Sequence, residues 1–331
     1  MEAHRRYICM FVITLLFLAF FGMVIRKPTL IWLHTATKED AFLDRRTEVT
    51  GIDADILFVG DSSLIFGVIP ERIEFTTGMT SYNLGTSVWG FVAAGNAILD
   101  DYLTKNRAPR LVVLYLAPWV RVNPPYSYKM EWNIAARMVL AHGSVVDLVR
   151  LFALHPKAYF PFLQDVWNRL IFGFHLNVDA VDEALSTLKR GRGWVSGDSP
   201  LVGTWRGMKD GCAKPKFLVA PDTAYINEFR RRLTARGLKV AVYIAPTPDC
   251  DPSDTGTRTA YIGIADDNPY QLPPRYFLDD GYYAHLFRKG AEENTDRVAE
   301  FVLHYLGRER PVKVERRHLS SESEPSTSTP K

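Results

Sequence analysis

Ile56-Leu57-Phe58-Val59-Gly60-Asp61-Ser62 is the stretch on which the reading of this chain turns. Four apolar residues in a row, bounded by a turn signal, suit a strand covered on both faces. The strand stops at a glycine. A tight turn there lifts the next side chains out at the carboxyl edge of a sheet, where a serine hydroxyl can meet a substrate. A helix starting just after the turn supplies backbone N–H groups suited to an oxyanion. Gly-Asp-Ser occurs again at 197–199, among Gly191, Gly193, Pro200 and Gly203. No strand-like run precedes that copy, and it reads as a loop.

Working outward, the chain alternates strand-like and helix-like segments. Ser81 to Gly85 is a short extended segment. Phe91, Ala94, Ile98 and Tyr102 share one face at helical spacing. Leu111 to Leu116 is a continuous apolar run, and Leu238 to Ala245 reads as the next buried strand, ended by Pro246. Between those runs Ile226, Phe229 and Leu233 mark an amphipathic helix that stops at Gly237. Ala291, Thr295, Val298 and Val302 mark a last helix running to Leu306. Strand-helix-strand alternation with buried strands predicts an α/β fold, a parallel sheet sandwiched between helices in three layers.

The segment from about 119 to 205 breaks this rhythm and is read as a helical insertion followed by a Gly-rich loop. Its aromatic residues, Trp132, Phe152, Tyr159, Phe160, Phe162, Trp167, Phe172 and Phe174, are read chiefly as core packing. A surface facing lipid, a glycan or a partner is the other reading, and the loop with Trp194 and Trp205 reads equally as a platform stacking on sugars and as a plain surface loop. Residues 308–331 are charged and then Ser/Pro-rich, the composition of a disordered tail.

The 331 residues are 47% hydrophobic and 23% charged, as in ordinary folded proteins, and a net charge of +3 gives no reason to expect nucleic acid. Tyr7 to Ile25 carries no charge. As a helix it would be about 28 Å long, close to the thickness of a bilayer's hydrocarbon core. With no small-residue cleavage site before Arg26, residues 1–25 read as an uncleaved membrane anchor, a cleaved signal peptide being the alternative. Residues 26–50 read as a connector, and 51–307 as the folded domain, with the insertion at about 119–205. Arg5 and Arg6 precede the run, while Arg26, Lys27 and Lys38 follow it, so charge does not fix its orientation. Cys212 and Cys250 suit either a disulfide or two separate thiols.

A serine needs a base to take its proton, and the base needs a group to hold it. Of eight histidines, His285 has the right setting, in a loop just before the last helix. In a parallel sheet such a loop lies on the same edge as the loop carrying Ser62. Asp279 and Asp280, just upstream, are candidates to orient the imidazole. Asp61 is read as a cap on the helix that follows it, and Ser63 as a helix-start residue. No His/Cys/Asp cluster has metal-ligand spacing and no glycine loop has the phosphate-binding pattern, so neither a metal nor another cofactor is implied.

Val59-Gly60-Asp61-Ser62 together with Asp280…His285-Leu286…Gly290-Ala291 resembles the first and last sequence blocks of the SGNH, or GDSL-like, hydrolase superfamily. The likeness covers residues 55 to 95 and 225 to 306. It is nearest to membrane-anchored members, such as alginate O-acetyltransferase-like proteins and the D-alanyl transfer protein of teichoic acid synthesis. It implies that Ser62 is the nucleophile, His285 its base and Asp280 (or Asp279) the third member. The N–H groups of Ser62 and Gly85 would form the oxyanion hole, with help from the Asn83 side chain. It also implies a single-pass protein with its catalytic domain outside the cell membrane. That protein would transfer an acyl group, most simply acetyl, to a glycan or other polymer, alongside a multispanning membrane-bound O-acyltransferase. An esterase or deacetylase acting on an extracellular glycan, and a degenerate glycan-binding scaffold, are the alternatives. Two departures stand out. The usual Asp-x-x-His spacing would put the acid at 282, which is Tyr282, and the Gly-x-Asn-Asp block is missing after Leu116.

Overall fold

The computed structural model describes residues 49–86, 98–117, 145–154, 178–199, 223–249, 264–267, 270–279 and 285–307, together with Thr14, Gly207 and scattered residues between 156 and 164. The run Tyr7 to Ile25 (Thr14 apart), the tail from 308, Cys212, Cys250, Trp205 and Asp280 lie outside the described residues. Among the described residues no helix is long and apolar enough to cross a membrane.

In chain order the elements are β1 (Ile56–Gly60), α1 (Ser62–Gly67), α2 (Pro70–Thr77), β2 (Ser81–Gly85), α3 (98–105), β3 (Leu111–Leu116), α4 (Val145–Leu154), α5 (Val178–Arg190), α6 (Thr223–Thr234), β4 (Lys239–Ile244), β5 (Thr247–Pro248), β6 (Gln271–Leu272) and α7 (Arg288–Tyr305). Strands β2-β1-β3-β4 form one all-parallel sheet, with Gly60 level with both Gly85 and Tyr115. A second, two-stranded sheet pairs β5 with β6.

Alternation of side chains along each strand divides the core in two. Leu57, Val59, Val112, Leu114, Val240, Val242 and Ile244 point to one face, where they pack with Tyr102 of α3, Leu148 of α4 and Ile226, Phe229 and Leu233 of α6. Ile56, Phe58, Leu111, Val113, Tyr115, Ala241 and Tyr243 point to the other, against Leu64 of α1, Ile73 of α2 and Val298, Phe301 and Val302 of α7. With helices on both faces, the central strands β1 and β3 are apolar almost throughout, as the sequence leads one to expect, while β2 carries Ser81 and Asn83 and β4 starts at the exposed Lys239. Helix α6 ends at Gly237, which takes the left-handed conformation (φ 78°) that a side chain disfavours.

The middle of the chain is mixed. Leu148 and Phe162 are buried against the sheet's first face, and Phe152 meets Phe162 with ring centroids 5.5 Å apart. Val146, Leu154 and Phe160 instead point outward, the last 75% exposed.

Helix α7 ties the second face together. Asn294 Nδ2 donates to the Gly67 carbonyl (2.6 Å) and to Tyr115 Oη (3.0 Å), while Asn294 Oδ1 accepts from Tyr270 Oη (2.5 Å). Thr295 Oγ1 accepts the Ile69 N–H (3.0 Å), and Arg72 of α2 forms a two-pronged pair with Asp296. That pair is half exposed and adds little beyond orientation. Gly60 sits so close to its neighbour that a Cβ there would collide with the Tyr115 carbonyl oxygen. Gly60→Ala is therefore expected to lower stability by about 2–3 kcal/mol through overpacking between central strands, measurable by urea unfolding.

Candidate active site

The site is built where β1 ends. Asp61 is the N-cap of α1, extended in backbone (φ −82°, ψ −168°), and its Oδ1 accepts the Ser63 N–H at 2.7 Å. Its Oδ2 accepts the Ala117 N–H at 2.9 Å, just past the end of β3. This carboxylate is 2% exposed. Burial pushes its pKa up, against the pull of the amide hydrogen bonds and the nearby His285. The capping role expected of Asp61 is thus joined by a second one, fastening α1 to the neighbouring strand.

Ser62 is the first residue of α1, so its N–H has no acceptor within the helix. Its Oγ lies 2.8 Å from His285 Nε2. Phe66, one turn further along α1, packs its ring against the imidazole, centroids 4.7 Å apart. His285 reaches this position from a segment that folds back on itself. Leu278 N–H donates to the His285 carbonyl (2.9 Å), and Phe287 N–H donates to the Tyr276 carbonyl (2.9 Å). Leu286 is fully buried with Leu272, Tyr276, Phe277 and Ala291.

With a proton on Nδ1, His285 Nε2 can accept the Ser62 proton, which is the geometry of a general base beside a hydroxyl nucleophile. Asp279 is exposed, and among the described residues no hydrogen bond or ion pair joins it to His285. Asp280, the first choice for the third member, lies outside the described residues. No three of His, Cys, Asp and Glu come together among the described residues in a way that would hold a metal ion.

The expectation for Asn83 and Gly85 needs correction. Asn83 is fully buried, and its Nδ2 donates to the carbonyls of Leu64 (2.7 Å) and Val68 (3.0 Å). Its Oδ1 accepts the Gly85 N–H at 2.8 Å. A buried amide must satisfy its own donors and acceptor, and the α1 carbonyls are the partners within reach. The Asn83 amide therefore holds α1 against β2, the Gly85 N–H fixes that amide, and neither is directed to a substrate. The Ser62 N–H remains of the donors expected.

Sequence reading missed what the second Gly-Asp-Ser does. It is a turn, as expected, but Asp198 Oδ2 accepts the Arg288 N–H (3.0 Å) at the start of α7. It missed Asn294 as well, which stands on α7 among apolar residues. An asparagine within an otherwise apolar helix face was the available signal. Trp194, read as either a sugar platform or part of a plain surface loop, has its indole N–H buried, with no hydrogen-bond partner among the described residues.

Comparison with protein-family models and with curated proteins gives no match for this chain.

Two outcomes follow. Asn83→Ala is expected to destabilise by about 2–4 kcal/mol, since it strands two carbonyls and an N–H, as read from urea midpoints. The raised pKa of Asp61 means that the folded state holds its proton more tightly than the unfolded state. Its contribution to stability is therefore full below the unfolded value and falls as pH rises toward the folded one. The melting temperature of wild type relative to Asp61→Asn is expected to drop as pH is raised from about 4 toward neutrality.

Proposed function

We propose that this chain is an enzyme of SGNH type that transfers an acyl group, most simply acetyl, through an ester on Ser62. The observation that carries the reading is the 2.8 Å contact between Ser62 Oγ and His285 Nε2, made by residues 223 positions apart. Such a pair at the carboxyl edge of a parallel sheet is where substrate chemistry is usually built.

In the proposed reaction Ser62 Oγ attacks the carbonyl carbon of an acyl donor while His285 Nε2 takes the hydroxyl proton. The oxyanion develops against the Ser62 N–H, and the donor's leaving group departs with the proton held by His285. An acceptor hydroxyl then gives its proton to His285 and attacks the acyl-serine, which restores Ser62. Asp280 (or Asp279) would hold the imidazole so that Nδ1 carries its proton. A sugar or polymer hydroxyl as acceptor makes the protein an O-acyltransferase of the cell envelope or of an exported polysaccharide. Water as acceptor makes the same site an esterase.

The resemblance of the sequence blocks supports a membrane-anchored member with residues 7–25 as its anchor. Its domain would lie on the outer side of the membrane, its acyl donor passed on by a multispanning O-acyltransferase.

The test is reaction of the purified chain with a fluorophosphonate and with an activated acyl ester, with and without glycan. Wild type is expected to label at Ser62. Ser62→Ala is expected to lose the label, and His285→Gln to slow it by about 10²–10⁴-fold. Acylated glycan supports transfer, and ester hydrolysis unaffected by glycan supports the esterase. A Ser62 that does not react while the chain binds glycan would point to a binding scaffold instead.

A further inference from the structure

The second Gly-Asp-Ser packs directly on the backbone that carries His285. Gly197 is buried, and a Cβ there would come within 2.5 Å of the Leu286 carbonyl oxygen and 3.3 Å of Phe287 Cα. Asp198 then accepts the Arg288 N–H through Oδ2 at 3.0 Å. Phe287, the N-cap of α7, offers no side-chain cap of its own, so this carboxylate from another segment fills that role. Ser196 Oγ donates to the same oxygen at 3.3 Å and keeps the carboxylate turned toward α7.

The other end of the same loop is fixed to the nucleophile's side. Val195 N–H donates to the Ile65 carbonyl of α1 (3.2 Å), and the Arg192 carbonyl accepts the Asn83 N–H of β2 (3.0 Å). Val195 is buried with Ile65 and Phe66, and Arg192 pairs with Glu74 of α2. Residues 191–199 thus touch the serine's helix at one end and the histidine's segment at the other.

The strap acts beside His285. The His285 carbonyl accepts the Leu278 N–H and the Phe287 N–H donates to the Tyr276 carbonyl, both within the same folded-back segment. The ties from α7 to the Gly67 carbonyl of α1, at Asn294, and to the Ile69 N–H just beyond it, at Thr295, begin nine residues further on. A swing of the segment by about 0.5 Å would carry the 2.8 Å contact beyond the normal range for a hydroxyl hydrogen bond.

We propose that Gly197 and Asp198 form a clamp that sets the position of His285 against Ser62. They are positioning residues for the reaction proposed above, and the inference rests on that reading for its chemistry but not for its geometry. Gly197 allows the close backbone approach, Asp198 fixes the start of α7, and Val195 joins both to α1.

The test uses the full chain, with Gly197→Ala, Asp198→Ala and Asp198→Asn, and follows thermal melting in parallel. Two rates are read on folded protein. One is fluorophosphonate labelling of Ser62 from about pH 5 to pH 9. The other is carbethoxylation of His285 by diethyl pyrocarbonate, located by peptide mass spectrometry. Gly197→Ala and Asp198→Ala are expected to label Ser62 roughly 10- to 100-fold more slowly and to carbethoxylate His285 faster. Asp198→Asn keeps an acceptor oxygen and is expected to stay within about threefold of wild type. Variants that melt lower yet keep wild-type rates in both measurements overturn the clamp and leave a loop that only supports the fold. If wild-type Ser62 does not label, the acyl-transfer reading falls, and the His285 rates alone decide the clamp. Faster modification in Gly197→Ala and Asp198→Ala supports it, and unchanged rates overturn it.

Discussion

The buried carboxylate of Asp61 is the interaction on which the site depends. One oxygen holds the first turn of α1 and the other holds the backbone leaving β3. Taking a carboxylate out of water is unfavourable, and only well-placed donors offset that penalty. Both donors here are main-chain N–H groups, so the geometry they impose is imposed on the backbone. Ser62 stands between the two anchor points and inherits their position.

Helix α1 has only six residues, too few to persist alone. Its carbonyls account for its survival. Asn83 takes those of Leu64 and, just past the helix, Val68, while Asn294 takes that of Gly67. One asparagine comes from the sheet and the other from α7. The short helix is therefore held between a strand and the helix that follows His285, and Ser62 and His285 belong to one frame.

Much of the sheet was legible because its signals are local. The apolar runs at 56–59 and 111–116 and the largely apolar 238–245 became strands, and Gly237 ended its helix where expected. The place of His285 just before the last helix was the signal for its contact with Ser62, although the strand that precedes it, β6, belongs to the two-stranded sheet and not to the sheet whose β1 leads into Ser62. What escaped reading depends on tertiary partners. Nothing in the local pattern around Asn83 says whether its amide faces a substrate or the carbonyls of α1. Asp198 stands in an ordinary Gly-rich turn, and its role appears only when Arg288, 90 positions away, is brought to it. Helix α2 was missed because Pro70 and the polar residues after it give a weak apolar period, and the helix is stabilised from outside by Thr295 and Asp296.

The ties between α1 and α7 also order events in time. Ser62 is made early and His285 late, and the groups that hold them together, Asn294 and Thr295, are made later still. During synthesis, which runs from the amino terminus, the hydroxyl has no imidazole beside it until α7 can dock. A chain interrupted before α7 would carry an exposed but unactivated serine. The contact between Ser62 and His285 is thereby deferred until the sheet is covered on its second face.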